Sequence, residues 1–308
     1  MSIRHWLPAA GVTALAALLL SLPAVAQERL DAEAAPLTGT LKKIRDSGVV
    51  TIGYRENSFP FSYLGPGKAP IGYSIELCQA IVDEVALELD SKALEVRFRP
   101  VTPETRIPAV VKGEIDLECG STTNNTVRQK EVAFSPIFFV AGTKLLVRRA
   151  DKIRSYRDLR GKTVVVTAGT TNEQALRVLN EKQKLGINLV AAKDHDESFK
   201  LFTSGQAAAF ATDDVLLYGW IARTKAEGEY VVAGDYLSYD PYGLMFRRND
   251  AQFAAVVDRT FRQLAESREL RWIYRRWFQR RVPTGENLAL PMSPQLESIF
   301  GSLGLPEE

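Results

Sequence analysis

Three short segments gather hydroxyls, backbone amides and charge in a pattern suited to holding a small zwitterion. They are Glu118-Cys-Gly-Ser-Thr-Thr-Asn-Asn125 with Arg128 behind it, Thr167-Ala-Gly-Thr-Thr171, and Ala211-Thr-Asp-Asp214. The first two set hydroxyls and N–H groups at the start of a predicted helix, where the unpaired amides and the helix dipole favour an anion such as a carboxylate. Arg128 adds a planar, two-pronged donor that matches a carboxylate edge to edge. Asp213 offers an acceptor for an ammonium. Each feature also has a plainer reading: a Ser/Thr run before a helix is an N-cap, and Asp213-Asp214 is an acidic first turn. Asn124-Asn125-Thr126 also fits a glycosylation acceptor pattern.

Other chemistries find little support. The only histidines are His5 and His195, and His5 lies in a leader expected to be removed, so a multi-histidine metal site is excluded. The two cysteines, Cys78 and Cys119, form no C-x-x-C motif. In an oxidising compartment they read as a disulfide or as two separate buried thiols, and spacing alone does not choose. With 39 basic against 37 acidic residues, no generic nucleic-acid or lipid surface is expected.

The elements that must position these segments begin after a leader. Arg4, an apolar run over 9–22 and Ala24-Val25-Ala26 have the order of a secretory signal peptide cleaved after Ala26. The run is short against the roughly 20 residues of a spanning helix. No Cys follows it to carry a lipid, so a protein secreted across the inner membrane is expected, with a flexible lead over 27–40. What remains exceeds the size that one core usually fills, so two lobes are expected.

A helix over 41–46 closed by Gly48, a strand over 49–54, a helix capped by Ser74 and a strand over 94–98 follow in turn. A helix opened by Thr102-Pro103 and a strand over 115–118 complete a β-α-β-α-β series, the mark of a parallel sheet flanked by helices. The pattern restarts after Gly142 with strands over 144–147, 163–167, 188–191 and 207–211 and helices over 172–183, 197–203 and 215–225. The stretch 239–281 is too small for a third domain and is expected to return to the first lobe. The division is therefore 41–140 with 239–281 as lobe 1 and 141–238 as lobe 2, crossed near 140–143 and 233–239, with a tail over 282–308 draped on the surface. Trp272, Tyr274, Trp277 and Phe278 read as core packing of a terminal helix.

The string Asp116-Leu-Glu-Cys-Gly-Ser-Thr-Thr-Asn-Asn125, with Arg128-Gln-Lys130 and Phe134-Ser135, resembles the substrate-binding proteins of bacterial polar amino-acid ABC importers, the extracellular solute-binding proteins of family 3. Gly53-Tyr-Arg-Glu56, Arg106-Ile-Pro108, Val164-Val-Val-Thr-Ala-Gly-Thr-Thr171, Ala192-Lys-Asp-His195 and Asp213-Asp214 are similar to its glutamate/aspartate branch, and the likeness runs from about Leu41 to beyond Trp277. The resemblance implies a two-lobed, type II periplasmic-binding-protein fold with mixed sheets and a two-strand hinge. It implies a periplasmic monomer without cofactor whose partners are glutamate or aspartate and the permease of an ABC importer. By position, Arg128 and Thr170 match groups that hold the α-carboxylate, and Asp213 the acceptor for the α-ammonium. Ser121 and Thr123 match polar groups beside them, Arg55, Arg106 and His195 the set around the acidic side chain, and Thr167 a further contact. Pro103 stands where that branch resembles itself in carrying Ser, so this side chain offers no hydroxyl there. For His195, a surface residue capping a helix start is the plainer alternative.

Three guanidinium groups against Asp213 leave a surplus of two positive charges, which resists closure until a ligand with two carboxylates and one ammonium offsets it. Glutamine would leave a buried guanidinium without its charged partner, at several kcal/mol. Glutamate and aspartate differ by one methylene, about 1 to 3 kcal/mol in a shaped pocket. The same fold resembles that of some secreted dehydratases and wall-cleaving enzymes, for which Glu118, Asp213 and His195 are the acid–base candidates. Guanidinium and hydroxyl groups transfer protons poorly at neutral pH, so a receptor is expected rather than an enzyme. A receptor that signals rather than transports uses the same surfaces.

Overall fold

The computed structural model describes residues 36–306. The expected signal peptide over 1–26 and the lead as far as residue 35 lie outside the described residues. The chain runs through α1 (Gly39–Ser47), β1 (Val49–Tyr54), β2 (Asn57–Ser58), β3 (Ser62–Leu64), β4 (Pro70–Ile71), α2 (Tyr73–Glu88), β5 (Glu95–Pro100), α3 (Arg106–Val111) and β6 (Leu117–Cys119). Next come β7 (Val132–Phe134), β8 (Phe139–Ala141), β9 (Thr143–Arg148), β10 (Thr163–Thr167), α4 (Thr171–Gln183), β11 (Asn188–Ala192), α5 (His195–Thr203), β12 (Ala209–Asp213) and α6 (Asp214–Thr224). The last elements are β13 (Tyr230–Ala233), β14 (Asp240–Tyr242), β15 (Met245–Arg247), α7 (Ala251–Glu266), α8 (Glu269–Tyr274) and α9 (Pro294–Ser302).

Two five-stranded mixed sheets result. The first has the order β5-β1-β6-β15-β7, with β1 parallel to β5 and β6, and β15 antiparallel to β6 and β7. The second has the order β11-β10-β12-β9-β13, with β10 parallel to β11 and β12, and β9 antiparallel to β12 and β13. Alternation of side chains along a strand divides the second sheet's core cleanly. Leu145, Val147, Val164, Val166, Ala209 and Ala211 pack on one face with Leu176 of α4. Leu146, Val165 and Phe210 pack on the other with Phe199 and Phe202 of α5 and Leu217 of α6. Both faces are covered, which is why these strands read as unbroken apolar runs.

A two-stranded ribbon joins the sheets: β8 pairs antiparallel with β14 in the register Ala141↔Asp240, Val140↔Pro241 and Phe139↔Tyr242. On the second strand of the ribbon, β13 pairs with β9 as far as Ala233 and β14 begins at Asp240. Gly142 is required there, since a Cβ would lie 2.5 Å from the Ser238 carbonyl oxygen.

Two helix starts differ from expectation. Gly72, not Ser74, caps α2: its φ of 141° and the Phe61 carbonyl, 2.2 Å from where a Cβ would be, admit only glycine. Ser74 sits inside the helix and donates to the Gly120 carbonyl at 2.7 Å. Helix α3 starts at Arg106 rather than at Thr102-Pro103, because the Thr102 and Thr105 hydroxyls accept from each other's backbone N–H and hold a turn. The tail is more structured than a draped segment, since α9 buries Leu296 and Phe300. Trp272 is an exposed platform beneath Arg275 and Arg280, whereas Tyr274, Trp277 and Phe278 are buried. No helix of the described residues is long and apolar enough to cross a membrane.

Cys78 of α2 and Cys119 at the end of β6 are joined as a disulfide with their Cα atoms 6.3 Å apart. The bridge and the Ser74–Gly120 hydrogen bond anchor the polar loop after β6 to α2. Closing a loop across 41 residues restricts the unfolded chain by about 4 kcal/mol in the chain-entropy view. Replacing both cysteines by serine is expected to lower the melting temperature by roughly 5 to 10 °C in scanning calorimetry. An unchanged melting temperature would show that the bridge contributes nothing.

Candidate ligand-binding cleft

The carboxyl ends of β1 and β6 face those of β10 and β12 across the ribbon, the place where open α/β sheets bind small molecules. Between them lies a narrow cavity of about 10 Å³ lined by Arg55, Arg106, Ser121, Thr123, Thr170, Thr171, Asn172, His195 and Asp213. Arg55 follows β1 and is fixed through its backbone, its N–H donating to Ser62 Oγ at 2.8 Å. Arg106 opens α3 and donates from Nη1 to the Thr122 hydroxyl and to the Ser121 carbonyl. Both guanidinium groups are 2% exposed, yet Arg55 Nη1 and Arg106 Nε have no hydrogen-bond partner, and neither has the Ser121 hydroxyl beside them.

On the other wall, Thr170 caps α4, accepting from the Glu173 N–H and donating to the Thr167 carbonyl. Its hydroxyl proton is therefore committed, and what the start of α4 offers the cavity is its backbone N–H groups. His195 is the first residue of α5, after the N-cap Asp194, and is buried rather than a surface residue. Its Nδ1 meets the Thr167 hydroxyl at 2.8 Å, and that hydroxyl also meets Ser198 Oγ at 2.8 Å. Thr167 thus stands behind His195 and does not line the cavity. Arg128 also stands behind the lining: Nη1 donates to the Thr123 carbonyl at 2.9 Å and Nη2 to the Gly169 carbonyl at 3.4 Å, one on each wall.

Asp213 accepts from Asn172 Nδ2 at 2.8 Å and from the Tyr242 hydroxyl. Burial, then the charge of Asp240, raise its carboxyl to about 7, against the lowering effect of those two hydrogen bonds. Burial and the cations Arg55 and Arg106 push His195 well below the usual imidazole range, so the ring is neutral. Burial and then Arg106 also press Arg55 and Arg128 downward. The charge count from sequence needs correction. Buried Glu118 and Asp240 join Asp213 against the three arginines, and Asp194 also acts on Arg55, so the surplus of two disappears.

The two walls touch. Thr123 and Thr171 hydroxyls lie 3.2 Å apart and share Asp240 Oδ1, at 3.0 and 2.8 Å. A Cβ on Gly169 would fall 2.9 Å from Glu104 Cγ and 3.2 Å from the Pro103 carbonyl carbon, so the two segments approach closely there. Gly219 of α6 makes an equally close approach to Phe59, 2.9 Å from ring to ideal Cβ.

A family model for bacterial extracellular solute-binding proteins, family 3, matches residues 50–280 of this arrangement. The chain belongs to this family. As a family 3 solute-binding protein it has the two-lobed, type II periplasmic-binding-protein fold. It is 48% identical over 293 residues, covering 94% of each chain, to the L-glutamate/L-aspartate-binding protein of Pseudomonas aeruginosa. It is 41% identical over 270 residues, 87% of this chain and 89% of its relative, to the glutamate/aspartate import solute-binding protein of Escherichia coli. Among solved structures it resembles an ancestral amino acid-binding protein, a precursor of cyclohexadienyl dehydratase, with a TM-score of 0.67 and 28% identity over 78% of this chain and 99% of that one. The close relatives are binding proteins of importers, so this family 3 member ranks with receptors and not with enzymes.

Of the residues singled out from sequence, the structure brings Arg55, Arg106, Ser121, Thr123, Thr170, His195 and Asp213 to one cavity and sets Arg128 and Thr167 behind it. Sequence reasoning missed Asn172, Thr122, Asp240 and Tyr242. Asn172 adjoined a quoted segment, whereas nothing local marks Asp240-Pro-Tyr242 as a neighbour of Asp213.

Protonating Asp213 removes the acceptor that an ammonium needs, so the competent form dominates above about pH 7. Affinity for a bound amino acid is expected to fall as pH drops from about 8 to 6, with proton release at the lower pH in paired-buffer calorimetry. Constant affinity without proton release would contradict this.

Proposed function

We propose that this protein is the periplasmic receptor of an ABC importer for glutamate and aspartate, closing its cleft around the amino acid and delivering it to the permease. The observation that carries the reading is the buried pair of guanidinium groups with N–H donors left over at Arg55 Nη1 and Arg106 Nε, facing Ser121 Oγ. Each buried ion costs several kcal/mol unless it is paired and hydrogen-bonded. A side-chain carboxylate between the two arginines supplies both. In this reading the first-turn N–H groups of α4 take the α-carboxylate, and Arg128 behind them holds the Thr123 and Gly169 carbonyls in place. Asp213 takes the ammonium, and Thr123 flanks it. Neutral His195, oriented by Thr167, donates to the acidic tip. The named specificity of the relatives in Pseudomonas aeruginosa and Escherichia coli supports the same ligand.

The remaining assignments follow from this reading. Residues 41–140 with 239–281, and 141–238, are the two lobes that close, supported by the membership of their strands in the two sheets. The leader directs export and is removed after Ala26, and the mature protein works as a monomer, since delivery requires both lobes to meet the permease.

Calorimetry on refolded, ligand-free protein is expected to show binding of glutamate and aspartate at one site, with the amides bound at least a hundredfold more weakly, about 2.7 kcal/mol or more. Arg55→Met is expected to weaken glutamate binding by more than about tenfold and Asp213→Ala to abolish it. Equal affinity for glutamine, or normal binding by Asp213→Ala, would refute the assignment. Gly219→Val, remote from the cavity, is expected to weaken binding at least about threefold by holding the lobes apart at Phe59. Wild-type affinity in that variant would show that closure does not depend on this contact.

A further inference from the structure

Glu118 of β6 has no exposed surface and does not line the cavity, yet it belongs to the charge cluster at its arginine end. Its Oε2 accepts from the Thr122 hydroxyl at 2.7 Å, and the Thr122 oxygen accepts in turn from Arg106 Nη1. Its Oε1 is buried without a hydrogen-bond partner. The side chain occupies a space kept open by Gly120: a Cβ there would fall 2.3 Å from Glu118 Oε1 and 3.0 Å from Arg55 Cγ. A carboxylate is thus packed against the stem of one arginine and linked through one hydroxyl to the other. A buried carboxylate with an oxygen left bare is costly and contributes little as a structural device, since an apolar or amide side chain of similar size would pack as well.

We infer that Glu118 sets the charge this end of the cleft accepts: it offsets one of the two guanidinium charges, so that a ligand tip carrying one negative charge is matched. His195 is neutral and adds none. Glu118 is therefore a specificity-determining residue that never touches the ligand. The inference rests on the reading of the cleft as a site for acidic amino acids. With both arginines uncompensated, the empty cleft would carry two like charges facing each other at short range, and a dianionic tip would become the better fit. With Glu118 in place, a carboxylate suffices.

The test is a ratio. Glutamate and glutamine share shape, α-carboxylate and ammonium, so any cost of Glu118→Gln to folding or to the empty site cancels between them, and only the charge on the tip remains. The affinity ratio of glutamate over glutamine, measured by calorimetry, is expected to rise at least about tenfold in Glu118→Gln and to stay within about threefold of wild type in Glu118→Asp. An unchanged or lower ratio in folded Glu118→Gln overturns the inference. If that variant does not fold, wild-type protein is titrated with 2-amino-4-phosphonobutyrate from about pH 5.5 to 8.5, with glutamate as reference at each pH. No gain over glutamate is expected as the phosphonate takes its second charge. A tenfold gain would reveal an uncompensated second positive charge and overturn the inference. If wild-type protein binds neither glutamate nor glutamine, the functional reading fails. If it prefers glutamate with a ratio that Glu118→Gln leaves alone, only the present inference fails.

Discussion

A guanidinium group withdrawn from water has to find other partners for its N–H donors. In this protein two such groups, Arg55 and Arg106, are buried at the meeting of two lobes with donors unspent. The surrounding architecture makes that arrangement stable enough to exist and unsatisfied enough to be useful. Thr122 and Glu118 hold part of the charge. The rest is directed at the narrow cavity between the two walls. Stability and function are in tension here, since the fold withholds acceptors from donors that an anion satisfies.

The fold provides the tension through its connectivity. Each sheet presents the carboxyl ends of its parallel strands to the cleft, and the β8–β14 ribbon is the covalent axis between them. The ribbon is more than a tether, because Asp240 and Tyr242 on it reach Thr123, Thr171 and Asp213. Gly169 and Gly219 stand at two further close approaches, where a single added carbon would meet Glu104 or Phe59. Arg128 spans the same gap, bonded to a carbonyl on each side.

Much of this was legible in the chain. The second sheet's strands are covered on both faces and so appear as apolar runs, and Gly48 ends α1 through a left-handed turn as the sequence suggests. The polar segments after β10 and β12 were legible because α4 and α6 start there, whereas the helix expected after Glu118–Asn125 is only a single 3-10 turn over Arg128–Lys130. The failures have equally physical causes. For His195 the surface-cap alternative fails, because the residue is buried with Nδ1 on the Thr167 hydroxyl. The charge surplus was overcounted because Glu118 and Asp240 are near the arginines in space and not in any local pattern. Helix α3 began late because two threonine hydroxyls outcompeted proline's preference for a first turn. Local propensity finds elements; juxtaposition across a ribbon is decided by packing.

The most direct test of the account is a crystal structure of the protein grown with glutamate. The side-chain carboxylate is expected within about 3.2 Å of Arg55 Nη1 and Arg106 Nε, with the ammonium on the Asp213 carboxylate and the α-carboxylate at the start of α4. A ligand lying in the reverse direction, or bound with Arg55 and Arg106 still lacking a partner, would contradict the claim that unspent guanidinium donors define what this cleft binds.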